Sequence, residues 1–184
     1  LSSSSAASDV YKRQIHLDAV RVDAALVIPM PAGDKPSLRG PVSQLLQAAI
    51  DAGIGRGAFD EGCEFIRRHS RPWVDAGVER NADDPHLQAD VGRVFIELVA
   101  AESLLRRAAS TLDNIDPAQL DARTAALASI AVAETKVLTT EIALIASEKL
   151  LEWGGSRATL SEHGLDRHWR NARTHTLHDP LRWK

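Results

Sequence analysis

From Pro41 onward the apolar residues of the chain follow a helical spacing. They recur mostly at steps of three and four as far as Ser70, at Leu45, Leu46, Ala49, Ile50, Ile54, Ala58 and Phe65. Such spacing places side chains on one face of a helix, and it predicts a first helix from Pro41 to about Ser70. The glycines within this segment lower its helix propensity, but they would let a neighbouring helix approach closely.

Two Asp-Pro pairs mark the expected starts of the next two helices. Asp84-Pro85 combines a good N-cap with a proline at the first helical position, and it predicts a helix as far as Leu112. Asp116-Pro117 repeats this pair and predicts a longer helix to about Trp153. Gly154-Gly155 would end that helix, because glycine is the residue that most often follows a helix C-terminus.

A shorter fourth helix is expected from about Ser161 to Arg173, and Pro180 bars its continuation. Four helices joined by short connections indicate an all-α fold, an up-and-down four-helix bundle over residues 37–184. The third helix is apolar most of the way round, which predicts a subunit interface in addition to core contacts. Its apolar residues are Leu127, Ile130, Val132, Val137, Leu138, Ile142, Leu144, Ile145 and Leu150.

The residues before the bundle follow a different pattern. Residues 15–36 contain two short β-like pieces, Val20–Val22 and Ala25–Ile28, and because a lone strand is unstable they predict a remnant of a preceding β-domain with its linker. Residues 1–14 read LSSSSAASDVYKRQ, which lacks the apolar core of a secretory signal, and we expect a non-native, adaptor-like segment. We also expect the chain to be a fragment truncated on both sides and inactive alone.

Composition narrows the class of protein but not its function. Aromatic residues make up 4% of the chain, which favours helices packed through small side chains over a β-sandwich. The net charge of -3 gives no electrostatic reason to expect nucleic acid or an anionic membrane as a partner. Cys63 is the single cysteine, so an internal disulfide is excluded, and a cytoplasmic location is expected. No apolar run approaches the roughly 20 residues of a membrane span.

Two segments near predicted helix ends could bind a ligand. The first helix should end with Arg67, Arg68 and His69, followed by Arg71. Their guanidinium groups could bind a phosphate through paired hydrogen bonds, or the cations could simply complement the helix dipole. Gly154-Gly155 could let the backbone approach a ligand closely, or it could serve only as the helix stop.

A third segment, residues 167–180, is rich in arginine and histidine. Its arginines stand at three-residue steps, and His175, His178 and Asp179 follow. The two histidines could face one metal ion, but a convincing third ligand is missing. No Glu-x-x-His pair occurs in the sequence, which argues against a di-iron bundle, so no metal is expected. Trp169 and Leu177 interleave the polar residues and suggest partial burial.

Taken in order, these segments resemble the carboxy-terminal domain of the acyl-CoA dehydrogenase superfamily over nearly all of residues 15–184. Arg170-Asn171-Ala172-Arg173 is similar to the family's Arg-Asp-Ala-Arg signature. The resemblance implies that Gly154-Gly155 approaches a flavin cofactor across a dimer. It also implies an arginine that reaches the flavin phosphates of a neighbouring subunit. His69 stands at the usual position of that arginine, so the role is assigned to Arg71.

The residues after the signature distinguish two branches of the family. Acyl-CoA dehydrogenases commonly have Tyr-Glu-Gly there, and the glutamate removes the substrate α-proton, whereas this chain has His178-Asp179-Pro180. Aspartate is one methylene shorter, and a general base must come within about 3 Å of its proton. Residues 165–180 instead resemble the flavin-dependent monooxygenase branch of dibenzothiophene monooxygenase and the sulfur-acquisition oxidoreductases. That branch uses reduced FMN, supplied by a separate reductase, to activate oxygen.

The monooxygenase resemblance implies roles for particular residues. Oxygen activation at a reduced flavin needs a dry pocket and proton donors, and histidine can supply a proton near neutral pH. We expect His178 to be catalytic at the flavin, with His175 supporting it or contacting the flavin. His175 could instead have a packing or capping role. Asn171 is expected to hold the loop in place, and Arg173 either to do the same or to bind the cofactor.

These implications favour an FMN-dependent monooxygenase that acts on a small organosulfur substrate. Its expected partners are a flavin reductase and further copies of the chain, in a dimer or tetramer. One alternative is an FAD-dependent acyl-CoA dehydrogenase whose base is Asp179 or lies in another part of the protein. A second alternative is a non-catalytic helical oligomerisation module.

Overall fold

The computed structural model describes residues 18–28 and 35–178, without the side chain of His178. The chain divides into two units, residues 1–35 and residues 36–184. The adaptor-like segment predicted for residues 1–14 lies outside the described residues, and so do Asp179 and Pro180.

The described part of the first unit, residues 18–28, contains a 3-10 helix at Ala24–Leu26 and no strand. Asp23 begins this turn, because its Oδ1 accepts a hydrogen bond from the backbone N–H of Ala25 at 2.9 Å. The turn lies where the second β-like piece is predicted. A strand needs a neighbour for its backbone hydrogen bonds, and these residues include none. The predicted β remnant is therefore not found in the described residues.

The second unit is built from four α-helices, which confirms the all-α class. They are α1 (Arg39–His69), α2 (Pro85–Asp113), α3 (Ala122–Gly154) and α4 (Asp166–His178). Short 3-10 helices lie in the connections, at Asn81–Asp83, Pro117–Gln119 and Gly155–Thr159. α2 begins as predicted, because Asp84 Oδ1 accepts from the backbone N–H of His86 at 2.8 Å and Pro85 is the first helical residue.

Helices α1 and α3 run parallel and approach closely. Asp51 of α1 lies beside Lys136 of α3, and Gly62, about three turns further along α1, lies beside Leu150. A Cβ added to Gly62 would lie 3.4 Å from the Cα of Leu150, and a Cβ at Gly55 would lie 3.3 Å from the Cα of Ala143. The glycines of α1 thus permit the close helix approach expected from the sequence.

Helices α2 and α4 run antiparallel to α1 and α3. Asp90 near the start of α2 bonds Trp153 at the end of α3. In α4, His168 pairs with Glu61 of α1, and His175 pairs with Asp51 earlier in α1. Successive helices therefore alternate in direction, as in an up-and-down four-helix bundle.

The predicted start of the third helix is wrong. Asp116 Oδ1 accepts from the backbone N–H of Ala118, but this cap starts only the 3-10 helix Pro117–Gln119. Leu120 then adopts an extended backbone, with φ -68 and ψ 114. The α-helix begins at Ala122, where Asp121 Oδ1 accepts from the N–H of Thr124 at 2.7 Å.

The fourth helix lies further toward the carboxyl end of the chain than predicted. Gly164 has φ +59 and interrupts the helical backbone after Ser161, so α4 starts at Asp166. The helix continues past Arg173 to His178. His175 therefore lies within α4, where the helix backbone positions it.

Helix α3 packs against all three other helices, as its apolar circumference predicts. Val132, Ile142 and Leu150 are buried in the core, whereas Leu127 and Ile130 are 54% and 55% exposed. The subunit interface expected on α3 stays a prediction. In the described part of the chain, no helix is both long and apolar enough to cross a membrane.

Candidate functional site

The carboxyl ends of α1 and α3 meet at one end of the bundle. Ser70, the C-cap of α1, donates its Oγ–H to the backbone oxygen of Trp153 at 3.1 Å. The side chain of Phe65 packs against Gly154. We call Phe65, Ser70, Trp153, Gly154 and Gly155 the glycine-pair end.

The two glycines differ in what surrounds them. A Cβ on Gly154 would lie 2.5 Å from the Cβ of Ala158 and 2.9 Å from Cδ1 of Phe65, so only glycine fits. Gly155 ends α3 with φ +65, and a Cβ built there would meet nothing within 4 Å. The Gly155 backbone therefore borders open space, which a ligand could approach without meeting a side chain.

Polar side chains of α2 and α3 anchor Trp153. The indole Nε1–H donates to Oδ2 of Asp90 at 2.8 Å, and Lys149 Nζ lies 3.0 Å from the same oxygen. Arg93 bonds the other carboxylate oxygen at 2.5 Å. The Trp153 hydrogen bond first, and then Lys149 and Arg93, hold the pKa of Asp90 at about 2, below its ordinary value of 3.8 and against the effect of burial.

The arginines at the end of α1 have different environments. Arg67 and Arg68 both form ion pairs with Glu64 of their own helix. The backbone oxygen of His69 accepts from Arg157 at 3.2 Å. Arg71 lies beyond the helix end, is exposed, and has no ion-pair partner within the described residues. Of these side chains, Arg71 is therefore the best placed to bind an anion from solution, and that role stays a prediction.

His175 belongs to a second group, deeper in the bundle. Its Nδ1 lies 2.5 Å from Oδ1 of Asp51, a side chain of α1 with no exposed surface. The other carboxylate oxygen accepts from Lys136 Nζ at 2.5 Å and from Thr140 Oγ1 at 2.9 Å, both in α3. Lys136 is 2% exposed. We call Asp51, Lys136, Thr140 and His175 the core polar cluster.

A second histidine–carboxylate pair joins α1 and α4 closer to the glycine-pair end. Glu61 accepts from Arg167 at 2.5 Å and also pairs with Nε2 of His168. Burial acts to raise the pKa of Glu61, but the hydrogen bonds from Arg167 and His168 outweigh it and the pKa is lowered.

The structure separates the predicted site residues into two groups. Gly154 packs against Phe65 of α1, whereas His175 bonds Asp51 of the same helix. Phe65 and Asp51 are roughly 20 Å apart along α1, at 1.5 Å per residue. Arg173 is exposed on α4, near His175. His178 is the last residue of α4, and its side chain lies outside the described part of the chain.

Sequence reasoning missed Asp51, Lys136 and Thr140. The signal was present, because Asp51 interrupts the apolar run Ala48–Ala52 and Lys136 lies in the most apolar of the helices. A charged residue at a core-facing position of a helix must be paired, and its partner should lie on another core-facing position. Across the described ranges, no group of three or more His, Cys, Asp or Glu side chains is arranged to hold a metal ion.

Comparisons with known proteins identify similar chains. Dibenzothiophene monooxygenase of Mycolicibacterium goodii is 35% identical in an alignment 181 residues long, which covers 93% of this chain and 43% of that protein. The methanesulfinate monooxygenase MsuC from Pseudomonas fluorescens is a similar solved structure, with a TM-score of 0.76 and 35% identity over 79% of this chain and 38% of that one. This chain spans about two fifths of the length of the curated relatives it matches.

A further similar structure contains a flavin. TdsC from Paenibacillus sp. A11-2, in complex with FMN and indole, has a TM-score of 0.74 and 34% identity over 78% of this chain and 36% of that one. The family model described as the acyl-CoA dehydrogenase C-terminal domain matches residues 45–183. The resemblance seen in the sequence is thereby confirmed, and the chain belongs to the acyl-CoA dehydrogenase C-terminal domain family.

Proposed function

We propose that this chain forms the helical part of a flavin-dependent monooxygenase that uses reduced FMN to oxygenate a small organosulfur compound. The observation that carries the proposal is the 35% identity with dibenzothiophene monooxygenase over 93% of the chain. The family match over residues 45–183 includes α4 with His175 and His178, the region in which this sequence departs from a dehydrogenase. Reduced FMN, when bound, supplies two electrons, so that one oxygen atom goes to sulfur and the other leaves as water.

The residues present fit a flavin. The open space beside Gly155 admits a flat ligand against the backbone, and the exposed guanidinium of Arg71 suits a phosphate group. Near the core polar cluster, His175 is 19% exposed and Arg173 is exposed, so both can contact a ligand at the surface of α4. We assign cofactor binding to Arg71, Gly154, Gly155 and Arg173, and proton transfer to His178 with the support of His175.

The separation of the two groups supports a homo-oligomer. One flavin contacts a limited surface, and roughly 20 Å along the bundle divides the glycine-pair end from His175. A dimer or tetramer in which each chain offers one group to each of two flavins satisfies both sets of residues. A flavin reductase that supplies reduced FMN completes the partners of the proposed enzyme.

Two alternatives make different predictions. An FAD-dependent acyl-CoA dehydrogenase would need Asp179, or a residue outside this chain, as the base that removes the α-proton. A non-catalytic oligomerisation module would need no exposed side chain near His175 for binding a ligand.

The test uses the protein encoded by the complete gene. Photoreduced FMN and oxygen are supplied with dibenzothiophene or methanesulfinate, and oxygenated product is measured against a reaction without oxygen. We expect oxygen-dependent product in the wild type and its loss in His178→Ala. The control, Gly53→Ala, changes an exposed position of α1 with open space around it and should keep full turnover.

Anaerobic bleaching of the bound flavin by an acyl-CoA would exclude the monooxygenase and support the dehydrogenase. Full turnover in His178→Ala would remove His178 from the proposed mechanism. Absence of any bound flavin in the purified oligomer would support the oligomerisation module.

A further inference from the structure

Asp51 organises three donors from two helices around one buried carboxylate. Oδ2 accepts from Lys136 and Thr140, and Oδ1 lies 2.5 Å from Nδ1 of His175. Asp51 and Thr140 are 0% and 4% exposed, and Lys136 is 2% exposed, so these three are shielded from water. His175 is the one member that reaches the surface, at 19% exposure.

These contacts determine which ring nitrogen of His175 carries a proton. The carboxylate is already bonded to an ammonium group and a hydroxyl, so it acts as an acceptor toward the ring. A hydrogen bond at Nδ1 then requires the proton to be on Nδ1. In the neutral ring, Nε2 carries the lone pair and is the nitrogen left to accept a proton or hydrogen bond from a ligand.

Stability alone gives a weak reason for such a cluster. Removing two charges from water costs about as much as their attraction returns, so a buried ion pair adds little to the free energy of unfolding. A buried carboxylate that orients a histidine does have a general physical effect, because it fixes the tautomer and the plane of the ring. Here the cluster connects the interior of α1 and α3 to one partly exposed imidazole on α4.

We propose that Asp51, held in place by Lys136 and Thr140, is a positioning residue that keeps the proton of His175 on Nδ1 and presents Nε2 to the flavin site. The proposal rests on the proposed monooxygenase function for its consequence in turnover. Its first consequence, the tautomer of His175, is independent of any reaction.

The tautomer can be measured by ¹⁵N NMR of the imidazole nitrogens in the complete protein, with His175→Gln used to assign the signal. In the wild type we expect the proton on Nδ1. Asp51→Asn keeps the side-chain shape, but its amide oxygen must accept from Lys136 and Thr140, which turns the NH₂ group toward His175. Nδ1 must then accept, so the proton is expected to move to Nε2.

Glu61→Gln is the matched control. It changes the other carboxylate of α1 that pairs with a histidine of α4, at the level of His168. We expect it to perturb the His168 signal and to leave the His175 tautomer unchanged.

Turnover supplies the second readout. With photoreduced FMN, oxygen and an organosulfur substrate, Asp51→Asn is expected to lower kcat about tenfold to a hundredfold, as loss of the partner that orients a metal-bound histidine does, with KM little changed. Glu61→Gln should keep both constants. Turnover is normalised to bound FMN, so that a loss of folded protein alone does not lower it.

The outcomes separate this inference from the proposed function. A wild-type His175 with its proton on Nε2 overturns the inference, whatever the behaviour of Asp51→Asn. So does a tautomer change in Asp51→Asn without a fall in kcat. A wild type with the expected tautomer but no oxygen-dependent turnover overturns the proposed function and with it the role of Asp51 in turnover, while the orientation of His175 by Asp51 stands.

Discussion

The core polar cluster and the glycine-pair end both join α1 to α3, but by different physical means. In the core polar cluster, a buried carboxylate joins α1, α3 and α4 through charged and polar side chains that are at most 4% exposed, except at His175. At the glycine-pair end, Phe65 packs on Gly154. Ser70 bonds the backbone oxygen of Trp153, and Asp90 bonds its indole. Removal of one side chain should therefore lower the free energy of unfolding strongly in the core polar cluster, and by smaller amounts at the glycine-pair end.

The same difference bears on function. The glycine-pair end exposes backbone at Gly155, and its shape depends on the close packing of Gly154. The core polar cluster exposes one imidazole whose orientation depends on residues far from it in sequence. In the proposed function, the glycine-pair end recognises the cofactor by shape, and the core polar cluster orients the imidazole of His175.

The largest effect is expected from breaking the buried ion pair. Lys136→Met leaves the Asp51 carboxylate buried without its cation, and removal of one partner of such a pair costs about 3–5 kcal/mol of unfolding free energy. Urea denaturation of the purified protein measures it. The control is Lys149→Met, whose ammonium pairs with Asp90 but is 22% exposed, and it should cost about 1 kcal/mol or less. Equal losses in the two variants would contradict the contrast.

Packing at the glycine-pair end comes next. The Cβ in Gly154→Ala would overlap Ala158 and Phe65, at 2.5 and 2.9 Å, and overpacking of this kind costs about 1–3 kcal/mol. Gly53→Ala provides the matched control, because its Cβ would meet nothing within 4 Å and alanine is the better helix former. There we expect a gain of about 0.5–1 kcal/mol. A stabilised Gly154→Ala would show that the packing against Phe65 is not as close as described.

The Asp90 carboxylate, which bonds Trp153 of the glycine-pair end, makes the stability of the protein depend on pH. The pKa of Asp90 is about 2 in the folded protein and 3.8 ordinarily, so its contribution is complete above pH 3.8 and is lost as pH falls toward 2. Because the group is partly exposed, we expect Asp90→Asn to cost about 1–2 kcal/mol at pH 7. The difference from the wild type should shrink below pH 4 in chemical denaturation curves.

Asp83→Asn is the control for this pH dependence. Asp83 also has a lowered pKa, from its hydrogen bonds with Arg80, but this pair is open to solvent. We expect the substitution to change stability far less than Asp90→Asn at every pH. A pH-independent loss in Asp90→Asn would instead mean that the residue contributes through packing.

The sequence predicted what depends on local patterns. Helix number, the order of directions and the ends of α1 and α3 follow from apolar spacing and from glycine, which act over a few residues. The start of α3 did not follow, because Asp-Pro suits both an α-helix and a 3-10 turn. Only the extended backbone at Leu120 shows which of the two forms at Pro117.

The core polar cluster could not be predicted in the same way. Asp51 and Lys136 are 85 residues apart, and each looks alone like an interruption of an apolar face. The resemblance to the monooxygenase branch predicts His175 as a site residue, whereas its pairing with Asp51 depends on how α4 lies across α1. The distance between the glycine-pair end and His175 likewise depends on α4 running antiparallel to α1.

The smallest effect is expected from the hydrogen bond between Ser70 and Trp153. Ser70→Ala removes one donor from the Trp153 carbonyl, but Nδ2 of Asn81 lies 3.5 Å from the same oxygen, so the carbonyl is not left without a partner. We therefore expect a loss near the lower end of the usual range, about 0.5 kcal/mol. Amide hydrogen exchange should rise at Gly155, whose position depends on Trp153, and stay unchanged at Lys136. The double variant with Asn81→Ala should cost more than the sum of the two single variants, because only then does the carbonyl lose both donors. Simple additivity would mean that water replaces them, and that the glycine-pair end relies on Phe65 and Asp90 alone.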